Sequence, residues 1–350
     1  MPKPNQQQIA DLLGLSRTTV SRCFTHNSRI NPETRARVFE CAAQLGYRYR
    51  PQRTIMGEEV RIRQDRVAVL IGSPDPAAKD TAAAKAIISG LSKQVNAEGL
   101  SLEVHYVDPA TFQPKPRSRR IVGDASWSDW LGIIMLYPFD QSAISNLKLR
   151  RPLISLLEDY EDDDVDYIDT DHGRGISRLM DHLQGLGHRR IGFLSWKYSI
   201  PVHWAERRFG AYVESLFRHN LEFDPSIVLN IRRDQHIPSS DLPDLVIRSM
   251  EKGVTAWVCA ADHQAVELIK ALQKRGINIP RDLSITGFDG IPVPEGLPAL
   301  TSIRMPFDEI GRSAVATLLR RTQQPTAERR QVMISGQLIE GRTTAEPVKD

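Results

Sequence analysis

From Val67 onward the chain alternates between short β-branched runs and longer stretches of helical periodicity, and this alternation most constrains what it can fold into. VAVLIG (67–72) precedes a helical stretch from about Asp80 to Glu98 and then LEVHYV (102–107). LGIIML (131–136), PLISLL (152–157), IGFLS (191–195), AWVCA (256–260) and LSITGF (283–288) continue the series, with helical stretches at 173–186 and 263–275. Apolar runs this short and this continuous suit strands covered on both faces, as in a parallel sheet. Parallel strands need crossovers, so the alternation predicts doubly wound α/β layers with ligands beyond the carboxyl ends of the strands. About 280 residues of this pattern is enough for two such lobes.

The first fifty residues follow a different rule. Gln6 to Leu13 places Ile9, Leu12 and Leu13 on one helical face with Asn5 as N-cap. Gly14 and Leu15 form a tight turn, and Ser16 caps a second helix running to about Phe24. In that second helix Val20 and Phe24 share a face, while Arg17, Thr18, Ser21 and Arg22 project from the polar side. Arginine there can bond a guanine edge bidentately, and the Ser16 and Thr19 hydroxyls can grip phosphate. Asn31 and Pro32 open a third helix through Leu45, with Val38, Cys41, Ala42 and Leu45 turned to the other two and Gly46 stopping it.

Charge supports a polyanion partner for this module alone. Residues 1–66 hold 12 Lys and Arg against 6 Asp and Glu, whereas the remainder is slightly acidic. The three cysteines, Cys23, Cys41 and Cys259, are far apart and lack zinc spacing, which predicts no metal and a reduced, cytoplasmic setting. No window has the apolar length of a signal peptide or a membrane span. An enzyme is not expected and neither is a cofactor: G-x-S-x-G, a P-loop, H-E-x-x-H and a G-x-G-x-x-G after the first strand are all missing. His172, His188 and His263 read as surface, capping or packing residues, and the acidic run Glu158 to Asp166 as a solvated loop.

IADLLGLSRTTVSRCF (9–24) followed by INPETRARVFECAAQLGY (30–47) resembles the DNA-binding head of LacI/GalR-family bacterial repressors. The similarity continues through HLQGLGHRRIGFLS (182–195), R-x-x-G at Arg207 to Gly210, KALQKRGINIPRDLSITGFDG (270–290) and LPALTSIRMPFDEIG (297–311). The resemblance implies a multidomain chain: a three-helix helix-turn-helix head at 1–50, a hinge or linker at 51–65, and an α/β two-lobed effector domain of type I periplasmic-binding-protein fold at 66–350. The expected lobes are about 66–170 with 302–331, and about 171–301 with 332–350.

By the family's pattern Arg17, Thr18 and Arg22 read bases, Ser16, Ser21 and Tyr47 contact the backbone, and the loop from Thr25 to Arg29 lies against phosphates. The family's hinge wedges an apolar residue into the minor groove. Here Ile55 and Met56 are the candidates, although the P-N-x-x-A-R-x-L pattern is missing. For the effector, motif position assigns Arg207, Asp262 and Asp289, with Ser73 and Asp75 after the first strand and Trp204 as a stacking platform. Arginine donors and carboxylate acceptors suit the hydroxyl pairs of a sugar. One departure is Ala261, where many relatives carry Asn.

The expectation is a homodimeric regulator, by default a repressor, on a palindromic double-stranded operator, gated by a sugar-like effector held between the lobes. A solute-binding protein, and a regulator that no longer answers to a ligand, are the alternatives; no membrane partner is expected.

Overall fold

In the computed structural model the described residues are 5–24, 30–45, 47, 65–73, 82–114, 122, 129–160, 163–198, 203–232 and 234–348. They form two compact units, Met1–Asp169 with Phe307–Met333 and Thr170–Pro306 with Ile334–Asp350.

The first unit opens with three helices: α1 (Gln6–Leu13), α2 (Arg17–Cys23) and α3 (Pro32–Gln44). Each begins where a polar side chain satisfies an otherwise orphaned amide. Asn5 and Gln8 form a reciprocal capping box, Ser16 Oγ accepts from Thr19 N at 3.0 Å, and Asn31 Oδ1 accepts from Glu33 N at 2.9 Å. Gly14 ends α1 at φ 63°, a left-handed conformation that a residue with Cβ resists. Ile9, Ala10, Val20, Cys23, Val38, Cys41 and Ala42 are the core of the three helices. Leu12, expected on the same face as Ile9, is instead 65% exposed. It lies one residue before Leu13 and outside the stripe by which Ile9 and Leu13 join the core of the three helices.

Then follow β1 (Arg66–Gly72), α4 (Ala82–Ala97), β2 (Ser101–Val107), β3 (Trp130–Leu136), α5 (Gln141–Lys148), β4 (Leu153–Leu156) and β5 (Asp166–Thr170). The second unit continues with α6 (His172–Gly185), β6 (Ile191–Leu194), α7 (His203–Arg218), β7 (Val228–Leu229), α8 (Leu242–Met250), β8 (Ala256–Cys259), α9 (Asp262–Gln273), β9 (Ser284–Asp289) and β10 (Thr301–Arg304). The chain closes with α10 (Phe307–Gln323), β11 (Gln331–Ile334) and β12 (Gln337–Ile339).

One sheet has the order β11-β5-β4-β3-β1-β2 and the other β12-β10-β9-β8-β6-β7. Strands β1 to β5 pair in parallel, as do β6 to β10, while β12 is antiparallel to β10. Every apolar run singled out in the sequence is a strand. In β1 and β3 nearly every side chain is buried, which is why they read as continuous rather than alternating. Helices α4 and α10 approach closely because glycines face each other's backbone: a Cβ on Gly90 would lie 2.1 Å from Asp308 O, and one on Gly311 2.4 Å from Ile87 O.

Two expectations change. Residues 302–306, placed with the first lobe, belong to the second unit because β10 adds to β9. Of the acidic run at 158–166, expected to be a solvated loop, Glu158, Asp163 and Asp166 are buried while Asp164 is exposed. Asp166 begins β5 and is buried, taking a two-pronged bond from Arg321, Nε to Oδ2 at 2.9 Å and Nη2 to Oδ1 at 2.7 Å. Asp163 accepts from Gln141 Nε2 at 2.6 Å and Ser145 Oγ at 2.9 Å, and Asp159 pairs with Arg329. The cations come from α10 and the segment after it, some 160 residues away in sequence, so local charge patterning could not reveal them.

Candidate nucleic-acid interface and candidate effector site

The three-helix head presents one polar helix face. Arg17, Thr18 and Arg22 of α2 are exposed, with Ser21 and Thr19 half-buried beside them, while Val20 and Cys23 hold the opposite face in the core. The Ser16 hydroxyl already works as the cap of α2 and lies 2.8 Å from Thr19 Oγ1. Tyr47 is half-buried against Phe24, ring centroids 5.5 Å apart, which anchors the chain's exit from the head. Arg29, Ile55 and Met56 lie outside the described residues. An exposed pair of arginines flanked by hydroxyls on a short helix, backed by a sealed core, can reach base edges and phosphates at once.

In the second unit, β9 carries Asp289 at its carboxyl end, and α7 and α9 bring other charged groups to it. Asp289 has φ 137°, a region in which non-glycine residues are strained, and such strain collects at functional sites. Its Oδ1 lies 3.2 Å from Arg208 Nη2, and its side chain keeps 20% of its surface exposed. Burial pushes its pKa up to about 7; Arg208 opposes that rise and Asp262 adds to it.

Arg208 is buried and held on every side. Its guanidinium carbon sits 3.8 Å from the Phe288 ring centroid and 4.6 Å from that of Trp204. Nε donates to His172 Nδ1 at 3.1 Å, Nη1 donates to Ala260 O, and Nη2 faces Met305 Sδ at 3.6 Å. His172 accepts at Nδ1, so that nitrogen carries no proton.

Around this pair stands an aromatic wall. Tyr198 Oη lies 2.8 Å from His263 Nε2 and accepts from Gln264 Nε2 at 2.9 Å. Trp196 meets His263 edge-on at 5.0 Å, and Tyr198 meets Trp204 at 5.8 Å. Burial, then Arg208, lowers the pKa of His263, and burial pushes Tyr198 up to about 12. The cluster therefore offers one partly open carboxylate, one immobilised guanidinium and flat apolar rings.

The expected effector residues divide accordingly. Asp289 and Trp204 belong to the cluster. Asp262 is buried beneath it with both oxygens in use, Oδ1 accepting from Ser302 Oγ at 2.6 Å and Oδ2 from Ile291 N at 2.9 Å. It clamps the turn after β9 to β10, and burial raises its pKa. Arg207 is half-buried on another face of α7, and Arg208, one position on, is the arginine that lies beside Asp289. The reason is helical phase: Ala205, Arg208, Ala211, Tyr212 and Ser215 form the buried stripe of α7. Ser73 is half-buried in the first unit, its N–H donating to Val107 O at 2.9 Å, and Asp75 lies outside the described residues.

Sequence reasoning missed Arg208, Phe288 and Tyr198, and it read His172 and His263 only as packing or surface groups. The apolar period of α7 carried a signal for the first. Nothing local marked the others. His188 has the structural role expected, its ring bridging Thr255 Oγ1 at 2.8 Å and Ser284 Oγ at 3.1 Å. Among the described residues no group of His, Cys, Asp and Glu could hold a metal ion, and no helix is long and apolar enough to cross a membrane. Cys23, Cys41 and Cys259 are buried, and burial raises all three thiols away from reactivity.

Comparison with known proteins agrees with both halves of this description. Residues 7–50 match the model for bacterial regulatory proteins of the lacI family, and residues 180–344 the model for a periplasmic binding protein-like domain. The HTH-type transcriptional repressor CytR of Escherichia coli K12 is 26% identical over 340 residues, covering 95% of this chain and 94% of CytR. Among solved structures, a LacI family transcriptional regulator from Enterococcus faecium with bound ribose has a TM-score of 0.63 at 23% identity, covering 80% of this chain and 99% of that one. The lac repressor dimer bound to operator and the anti-inducer ONPF has a TM-score of 0.64 at 21% identity, covering 98% of this chain and 100% of that one. The chain thus carries a lacI-family DNA-binding domain and a periplasmic-binding-protein-like domain in a body of two α/β sheets, the same pairing as in the LacI-family transcriptional regulators it resembles.

Proposed function

We propose that this regulator is a homodimeric repressor that reads a palindromic operator through α2 and is gated by a sugar-like effector seated on Asp289 and Arg208. The observation that carries the effector half is the Asp289–Arg208 pair itself. A strained, partly open carboxylate at the end of a strand, beside a guanidinium clamped between Phe288 and Trp204, presents acceptors to vicinal hydroxyls and a flat ring to an apolar sugar face. The ribose bound to the Enterococcus faecium relative supports a polyol of this class. For the operator half, exposed Arg17, Thr18 and Arg22 supply few base contacts per head, so two-fold paired heads are needed for a specific site. The operator-bound dimer of the lac repressor supports that arrangement.

A second reading has its own observation. The Arg208 donors engage His172, Ala260 and Asp289 within the chain, and Ala261 offers no side-chain amide, which is what a regulator that has lost its ligand would keep as structure.

One experiment separates the two. Enrichment of duplexes from a randomised pool by the purified full chain is expected to yield a palindrome, and a panel of pentoses, hexoses and their phosphates is then added to the bound complex. Release by one compound, with a raised melting temperature in the free protein and loss of both effects in Asp289→Ala, is the outcome expected of a gated repressor. A palindrome indifferent to every compound supports the second reading. A selected site without two-fold symmetry would rule out the paired-head reading.

A further inference from the structure

Charge in the Asp289 cluster of the second unit does not balance. Two carboxylates lie there, Asp289 at the end of β9 and Asp262 at the start of α9, against the one guanidinium of Arg208. Asp262 accepts hydrogen bonds at both oxygens, from Ser302 Oγ and Ile291 N, the pattern of an ionised carboxylate. Arg208 and Asp262 are the charged groups that act on the Asp289 carboxyl, the first lowering its pKa and the second raising it. One negative charge is left over whenever Asp289 is ionised.

The cations close at hand are already committed. Arg208 spends Nε on His172 Nδ1, Nη1 on Ala260 O and Nη2 on Asp289, and its faces on Phe288 and Trp204. Lys197, between Trp196 and Tyr198 in sequence, donates from its ammonium to Arg232 O at 2.9 Å. The histidines add no charge, since His172 accepts at Nδ1 and burial lowers the pKa of His263. Asp289 nevertheless keeps 20% of its side-chain surface open, and the half-buried rings of Trp196, Tyr198 and Trp204 belong to the same cluster. An anionic ligand would meet this carboxylate with no uncommitted cation to offset it, and a neutral ligand leaves the surplus charge in place. An ammonium removes the surplus: it brings three donors to the open carboxylate, and aromatic faces attract cations.

We propose that the effector is an amino sugar, whose ammonium pairs with the open side of Asp289 while its ring lies against Trp196, Tyr198 and Trp204. This assignment rests on the reading of Asp289 as an effector residue, and it narrows the sugar-like class to its cationic members. Sugar phosphates are excluded by the same balance, because they add negative charge where it is already in excess.

Calorimetric titration of the purified full chain at neutral pH tests this with four sets of probes. They are glucosamine, galactosamine and mannosamine; the parent hexoses; the N-acetylated amines, which keep the substituent and lose its charge; and the hexose 6-phosphates. At least one hexosamine is expected to bind about tenfold or more tightly than its parent hexose and its N-acetyl form, the margin of a charge-assisted over a neutral hydrogen bond. The phosphates are expected not to bind. Asp289→Asn, which keeps the shape and loses the charge, should bring hexosamine and hexose to equal affinity with unchanged circular dichroism. A neutral hexose or a phosphate that binds as tightly as any hexosamine would overturn the ammonium and leave the sugar-like reading standing. A preference retained in a folded Asp289→Asn would overturn Asp289 as its partner, and the panel on the parent chain decides the ligand class even where the variant does not fold. No heat and no rise in melting temperature with any probe would overturn the proposal together with the sugar-like reading, and would favour a regulator that has lost its ligand.

Discussion

Asp289 combines a positive φ with a side chain that stays 20% exposed beside Arg208. Its folded pKa, about 7, lies above the ordinary 3.8 because burial disfavours the charged form more than Arg208 favours it. Between those two values the folded state holds a proton that the unfolded chain has released, so this group's contribution makes stability fall as pH rises from about 4 to 7 and level off above that. Asp289→Asn should therefore flatten that part of the melting-temperature profile; an unchanged slope would show that the carboxyl is not the titrating group. At the other site, Arg17→Ala should cost about 1–3 kcal/mol at one operator position and leave discrimination at the others intact. Equal losses across a set of single-base operator variants, measured by competition binding, would assign Arg17 to phosphate instead.

At the scale of elements, two devices place these residues. The head is positioned by caps: Asn5, Ser16 and Asn31 each satisfy helix-start amides, and Gly14 turns α1 into α2 within a few residues. In the first unit, α4 and α10 are held at backbone distance by Gly90 and Gly311. Gly311→Ala would place a Cβ 2.4 Å from the Ile87 carbonyl oxygen and 2.7 Å from the Leu91 amide nitrogen, neither of which can move independently of α4. The expected loss is about 1–3 kcal/mol or more, the range for overpacking, read as a lower urea midpoint with an unchanged slope. A midpoint within error of the parent would mean the two helices separate more easily than their geometry implies.

For the molecule as a whole, long-range pairs stitch each unit from distant parts of the chain. Asp166 in β5 receives the fork of Arg321 from α10, and Arg330 N donates to the same carboxylate at 2.7 Å. Removing one partner of a buried pair leaves the other charge uncompensated. Asp166→Ala should thus destabilise by about 3–5 kcal/mol, whereas Asp234→Ala, which breaks an exposed pair with Arg232, should be nearly silent in thermal unfolding. Comparable effects of the two substitutions would show that the Asp166 pair is solvated.

The sequence by itself determined the order and kind of most elements, because that information is local. Caps, turn glycines and apolar period mark α1 to α3 within a residue or so, and the unbroken β-branched runs mark β1, β2, β3, β4, β6, β8 and β9. The exposure of Arg17, Thr18 and Arg22 was equally legible, since it needs only a helix with one polar face. The tertiary structure alone decided which charges meet. Arg208 rather than Arg207 faces Asp289 because α7 turns that side inward, and Asp262 is spent on Ser302 and Ile291 because β10 lies beside β9. Asp159 and Asp166 of the acidic run are paired because their cations arrive from the far end of the chain. Pairings of that kind depend on which elements the fold brings side by side, and sequence spacing carries no term for that.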